Sequence, residues 1–123
     1  MFKKDFDNYA VLGDFISCEL PDGFVARAVI HDDADTMPPD NMPAEALAAW
    51  RNDEWFYCGV AVTVYKAGVQ LTGEFDHALW GIDCNLYDQL SEQETNWYLR
   101  VVANDLLPDA LAAAKDKIQE LCK

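Results

Sequence analysis

The chain has 123 residues, half of them hydrophobic, with four Trp, five Tyr and six Phe; that is enough for one hydrophobic core in a single domain spanning residues 1–123. Twenty-two Asp and Glu against nine Lys and Arg give a formal charge of −13, which repels nucleic acid and anionic membrane and favours a protein partner with a basic surface. The longest apolar run, near residues 59–64, is too short to span a bilayer, and Lys3 and Lys4 are followed by acids rather than an apolar leader, so a cytoplasmic protein is expected.

In chain order, residues 15–20 and 24–31 alternate like strands around Pro21-Asp22-Gly23, where proline presets φ and glycine closes the turn. Residues 32–42 carry four aspartates and the pair Pro38-Pro39, which reads as an irregular loop. Pro43 suits a first helical turn, and residues 44–51 are good helix formers with an apolar stripe of Ala46, Leu47 and Trp50. Residues 55–65 form an almost continuous β-branched and aromatic run. Phe56, Cys58, Val60, Val62 and Val64 share one face, with Tyr57, Ala61, Thr63 and Tyr65 on the other.

After a turn at Lys66-Ala67-Gly68, residues 69–71 begin a return strand. A loop at residues 73–77 precedes a run in which Ala78, Trp80, Ile82 and Cys84 are expected to face one way. The pattern leaves open whether residues 69–84 are one bulged strand or two. Ser91 with Glu94 forms a capping box for a C-terminal helix, whose buried stripe is read as Trp97, Val101, Val102 and Leu106. Pro108 interrupts or restarts that helix. Leu111, Ala114, Ile118 and Leu121 continue its apolar pattern. The class is therefore α+β: a mostly antiparallel sheet of four to five strands, one long C-terminal helix and a short inserted helix, in the order ββαββ(β)α.

No assembled catalytic constellation or cofactor motif stands in the sequence, and a binding role is expected rather than an enzyme. Cys18, Cys58, Cys84 and Cys122 lack the spacing of a zinc or redox site, and the first three read as small buried hydrophobes on strands. His31-Asp32-Asp33-Ala34-Asp35 offers oxygen ligands for a hard cation but lacks the ordered series, the glycine and the distal glutamate of a calcium loop. His31 and His77 stand in no known catalytic motif. Single glycines without neighbouring bases make no phosphate cradle, and an acidic sheet disfavours direct nucleic-acid binding.

The charge is unevenly distributed. Residues 28–50 contain five acids and no Lys or Arg, and residues 74–99 contain six and none. Asp32, Asp33, Asp35, Asp40, Glu74, Asp76, Asp83 and Asp88 are the carboxylates expected to meet a basic partner, occupying a groove as a nucleic acid would. The alternative is a small homo-oligomeric accessory protein, a homodimer for instance, that associates through an apolar sheet face.

The segments Arg51-Asn52-Asp53-Glu54-Trp55-Phe56-Tyr57-Cys58-Gly59-Val60, Leu79-Trp80-Gly81-Ile82-Asp83 and Val102-Ala103-Asn104-Asp105-Leu106-Leu107-Pro108 resemble small uncharacterised proteins of bacteriophages and mobile elements. The resemblance covers about half the chain and supplies no catalytic residues. It implies a phage-type inhibitor of host defence, such as an anti-restriction or anti-CRISPR protein acting in the host cytoplasm.

Overall fold

A computed structural model describes residues 1–6, 11–85 and 97–121. The turn chemistry at Pro21-Asp22-Gly23 closes the first hairpin: β1 (Phe15–Glu19) pairs antiparallel with β2 (Phe24–Asp32) across a single 3-10 turn, Pro21–Gly23. Along its whole length β2 pairs with β3 (Phe56–Lys66), Phe24 opposite Lys66 and Asp32 opposite Cys58. On the other edge of β3 lie both β4 (Val69–Gln70) and β5 (Ala78–Cys84). The stretch 69–84 is thus two short strands on one edge, separated by a loop. The short α1 (Ala44–Arg51) follows β2, and the long α2 (Trp97–Leu121) follows β5. This is the expected α+β order, with a five-stranded antiparallel sheet.

Alternation along β3 builds the main core. Cys58, Val60, Val62 and Val64 are fully buried, joined by Ala26, Ala28 and Ile30 from β2 and covered by α2. Each fully buried valine, leucine or isoleucine there contributes about 1.5–3 kcal/mol relative to exposure. The helix meets the sheet on Leu99, Ala103, Leu107, Ala110 and Ala114; of the expected pattern Ala114 is buried, Val102, Leu106, Leu111 and Ile118 are half-buried against the core, and Val101 and Leu121 are exposed. The reason is distance. Three alanines let the helix backbone approach the valine ridge closely, so the small residues turn inward and some large ones outward.

Pro108 neither interrupts nor restarts α2, which runs unbroken from Trp97 to Leu121. Pro108 stands on the exposed side, away from the sheet, where the helix can lose one backbone hydrogen bond without disturbing the core. Ser91, Glu94 and the Trp97 side chain lie outside the described residues. Ahead of β1, Phe2 and Phe6 are buried in the same core. The amide of Phe2 donates to Asn104 Oδ1 at 2.7 Å, and Asn104 Nδ2 donates back to the Phe2 carbonyl at 3.1 Å. The N-terminal segment is therefore clamped along α2.

In β5 the expected alternation breaks. Ala78 pairs with Ala61, but Ile82 pairs with Cys58 and Cys84 with Phe56, so Trp80 and Gly81 together oppose the single residue Gly59. This is a β-bulge, and Gly81 takes the left-handed conformation it needs, at φ 76°. One extra residue reverses which face follows. Ile82 and Cys84 enter the core with Cys58, whereas Trp80 lies on the opposite side of the sheet and is 45% exposed. The four residues expected to share a face are divided between two.

The short helix forms a smaller core. Ala46 and Ala49 bury against Trp55, whose indole Nε1 donates to the Ala46 carbonyl at 2.7 Å. Leu47 and Trp50, expected in the stripe, are only half-buried. Tyr57 meets Trp55 edge-on, with ring centroids 5.2 Å apart. Because Tyr57 points away from α2, the α1 cluster caps one end of the second sheet face, and among the described residues no helix covers the centre of that face.

Candidate functional site

The second face of the sheet has a floor of small residues between two aromatic walls. Along β3 the residues pointing away from α2 are Tyr57, Gly59, Ala61, Thr63 and Tyr65. Opposite them on β2 stand His31, Val29, Arg27 and Val25. Ala61 and Thr63 are buried although neither α1 nor α2 covers them. Tall neighbours shield them instead.

One wall is Trp80, Phe75 and His31. The Trp80 ring lies directly over Gly59, where an added Cβ would overlap the ring. Phe75, from the loop between β4 and β5, meets His31 edge-on at 4.9 Å and lies 5.8 Å from Trp80. At the other wall the Arg27 guanidinium lies 4.6 Å from the Phe15 ring centre and 5.6 Å from that of Tyr65. Between the walls runs a trough of about 350 Å³ lined by Arg27, Val29, His31, Ala61, Thr63 and Tyr65, with Gln70 and Glu74 at its rim. Phe15 and Phe75 are each more than half exposed.

The acidic end of the sheet lies where β2 and β5 finish and β3 begins. The Asp33 amide donates to the Tyr57 carbonyl at 3.3 Å, anchoring the loop that follows β2. Asp33 Oδ2 accepts from Thr36 Oγ1 and from the Gly81 amide, both at 2.7 Å. These donors, Thr36 foremost, hold the Asp33 carboxyl below its ordinary value of 3.8 against an opposing desolvation. Asp33 thereby fixes the bulge that places Trp80. Asp32, Asp33 and Asp53 line one groove of about 410 Å³ with Trp50, Trp55 and Tyr57, and Arg51 is the base beside them.

Asp83 stands opposite Tyr57 across the β3–β5 ladder. Burial, then the Asp83 charge, pushes the Tyr57 hydroxyl up. The Tyr98 hydroxyl donates to Asp83 Oδ2 at 2.8 Å and approaches the Asp83 carbonyl. Burial first, then Asp83, pushes Tyr98 far up, so it stays a protonated donor. Behind this end Cys58 and Cys84 adjoin in the core; the hydrogen bond between their thiols, and then burial, push Cys58 up and keep it protonated. Cys18 is half-buried, and Cys122 lies outside the described residues.

The eight carboxylates singled out from sequence therefore separate into groups. Asp32 and Asp33 share the groove, Asp35 and Asp40 are exposed on the loop between β2 and α1, and Asp83 adjoins from β5. Glu74 belongs to the trough on the open face. Asp76 accepts from the Gly73 amide at 2.9 Å and borders the crevice between β4 and α2 instead. Asp88 lies outside the described residues. Asp53 and Glu54, which the base-free tracts did not include, add to the acidic end as exposed residues after α1.

Among the described residues the ion pairs are Arg100 with Asp5 at 2.5 Å and Lys117 with Glu120 at 3.7 Å; neither involves these carboxylates. Within the same residues no three His, Cys, Asp or Glu side chains converge as for a metal, and no helix is long and apolar enough to cross a membrane. His31 rests against Phe75 and Trp80, apart in role from the aspartates that follow it.

No family model matches the chain, and no curated protein or solved structure matches it either. Its site is read from its own residues.

Proposed function

We propose that this protein is a non-enzymatic binding protein that lays the acidic end of its sheet on a basic partner surface, of the kind that receives nucleic-acid phosphates. The observation that supports this reading is the shared groove of Asp32, Asp33 and Asp53, with Asp83 adjoining across β3 and no ion pair among the described residues neutralising any of them. Duplex DNA spaces one charge about every 1.7 Å along its axis, and a basic groove built for that density is also a receptor for clustered carboxylates. Trp50 and Tyr57 in the same groove supply the partly exposed aromatic surface that anchors protein interfaces. An inhibitor of host defence, the role that the phage resemblance implies, would use such a surface.

A pull-down from bacterial lysate at low and high salt tests it. Retention of a basic nucleic-acid-binding protein, its release by salt, and its loss with the combined variant Asp32→Asn, Asp35→Asn, Asp53→Asn and Glu54→Gln are expected. Capture indifferent to both salt and charge would overturn the reading. The exposed Phe15, Phe75 and Trp80 favour a second reading, self-association through the open face. That reading requires a dimer in sedimentation that persists at high salt, and the Phe75→Ala, Trp80→Ala double variant would abolish it.

A further inference from the structure

The trough on the open face contains an arrangement that the acidic end does not explain. In a chain with 22 acids and nine bases, Arg27 has no carboxylate within ion-pair distance among the described residues, and its N–H groups find no acceptor there. Its position is nevertheless fixed, because the guanidinium rests against the rings of Phe15 and Tyr65. Arg27 is also exposed, so its N–H donors remain open to a ligand that can meet them as a fork. Beside it Thr63 Oγ1 donates to the Tyr65 hydroxyl oxygen at 3.3 Å, which leaves the Tyr65 proton for another acceptor. Val29 and Ala61 make the floor apolar.

We propose that this trough is a binding site for a carboxylate on a short apolar stem, the anion received by the edge of Arg27 and the Tyr65 hydroxyl, the stem lying over Val29 and Ala61. Planar carboxylate matches the guanidinium fork in two parallel hydrogen bonds. A doubly charged phosphate is disfavoured by Glu74 at the rim and by the net charge of −13. The volume of about 350 Å³ admits a short-chain acid and leaves room for a longer chain beyond its stem. The carboxylate has two chemical sources, a small free acid and the C-terminus of a peptide.

The test is an NMR titration of the full ¹⁵N-labelled chain with butyrate, following the Arg27 Nε–Hε and Trp80 indole signals, with butyramide and butylammonium as controls. Butyrate is expected to saturate at about millimolar concentration, butyramide and butylammonium not at all. Arg27→Gln should remove the response, and Arg27→Lys, which keeps the charge but loses the fork, should weaken it about tenfold. Val29→Phe, which fills the floor while leaving Arg27 in place, should also remove it, and Glu74→Gln should tighten binding. A tripeptide acid, acetyl-Gly-Val-Leu, that binds more tightly than butyrate while its amide does not bind would assign the site to a chain terminus; butyrate binding alone would assign it to a free acid. Equal responses to butyrate and butyramide, a response unchanged in well-folded Arg27→Gln, or preference for butylammonium would each overturn the proposal. None of these outcomes depends on the acidic end, so the site stands or falls apart from the proposed function.

Discussion

The two faces of β3 bury neighbouring residues by different means. Towards α2, Cys58, Val60, Val62 and Val64 are covered by a second layer, and the contact is a close seam of valine on alanine. On the other side Gly59, Ala61 and Thr63 are equally hidden, but by side chains from the flanking strands and from the loop between β4 and β5. Covering small residues with half-exposed Trp80, Phe75, Phe15 and Arg27 leaves large aromatic and cationic groups at the surface. The first face spends its apolar area on folding. The second leaves much of it at the surface.

Substitutions should separate the two faces, and the largest effect belongs to the seam. Leu99→Ala should lower stability by about 2–5 kcal/mol, read as a fall in the urea midpoint, while the folded fraction keeps its Arg27 side-chain NMR shift. Gly59→Ala should cost about 1–3 kcal/mol, because the methyl group displaces the Trp80 ring; a shifted Trp fluorescence maximum would accompany it. If Gly59→Ala proved neutral, Trp80 would not be seated on Gly59.

Asp33→Asn should have a smaller effect that depends on pH. The Asp33 carboxyl is held below 3.8 in the folded chain, so its stabilisation is present above that value and is lost as pH falls through the folded value. The variant should therefore be less stable than the parent near neutrality and converge with it below pH 3.8. A constant difference across the acid range would contradict this role. Smallest is the combined change at Asp32, Asp35, Asp53 and Glu54. These are exposed, so each should shift stability by less than about 0.5 kcal/mol, with mutual repulsion relieved.

The strand pairing was legible in the sequence wherever a local rule and the fold agreed. The 3-10 turn at Pro21–Gly23 and the valine alternation of β3 are examples. The phase of the first turns of α2 was not, because seeking large apolar residues selects Val101 and Leu106, while close packing selected Leu99, Ala103 and Ala110; further on, Ala114 is buried as the period predicts. The side taken by Trp80 depends on Gly59 across the ladder and on Gly81 at the bulge, a pairing that no period within β5 records. The base-free tracts grouped Asp76 with residues 32–40, and the fold sends it to the α2 side. Arg27 went unnoticed because it is one base on an alternating strand. Its meaning arises only when Phe15 and Tyr65 arrive from two other strands.

The most direct measurement of the proposed function is the dissociation constant for the captured basic partner over a salt series, for the parent chain and for the variant neutralised at Asp32, Asp35, Asp53 and Glu54. The account predicts an affinity that falls steeply with salt for the parent, and for the variant weaker binding with a much shallower slope. Two superimposable salt curves, at equal affinity, would contradict it.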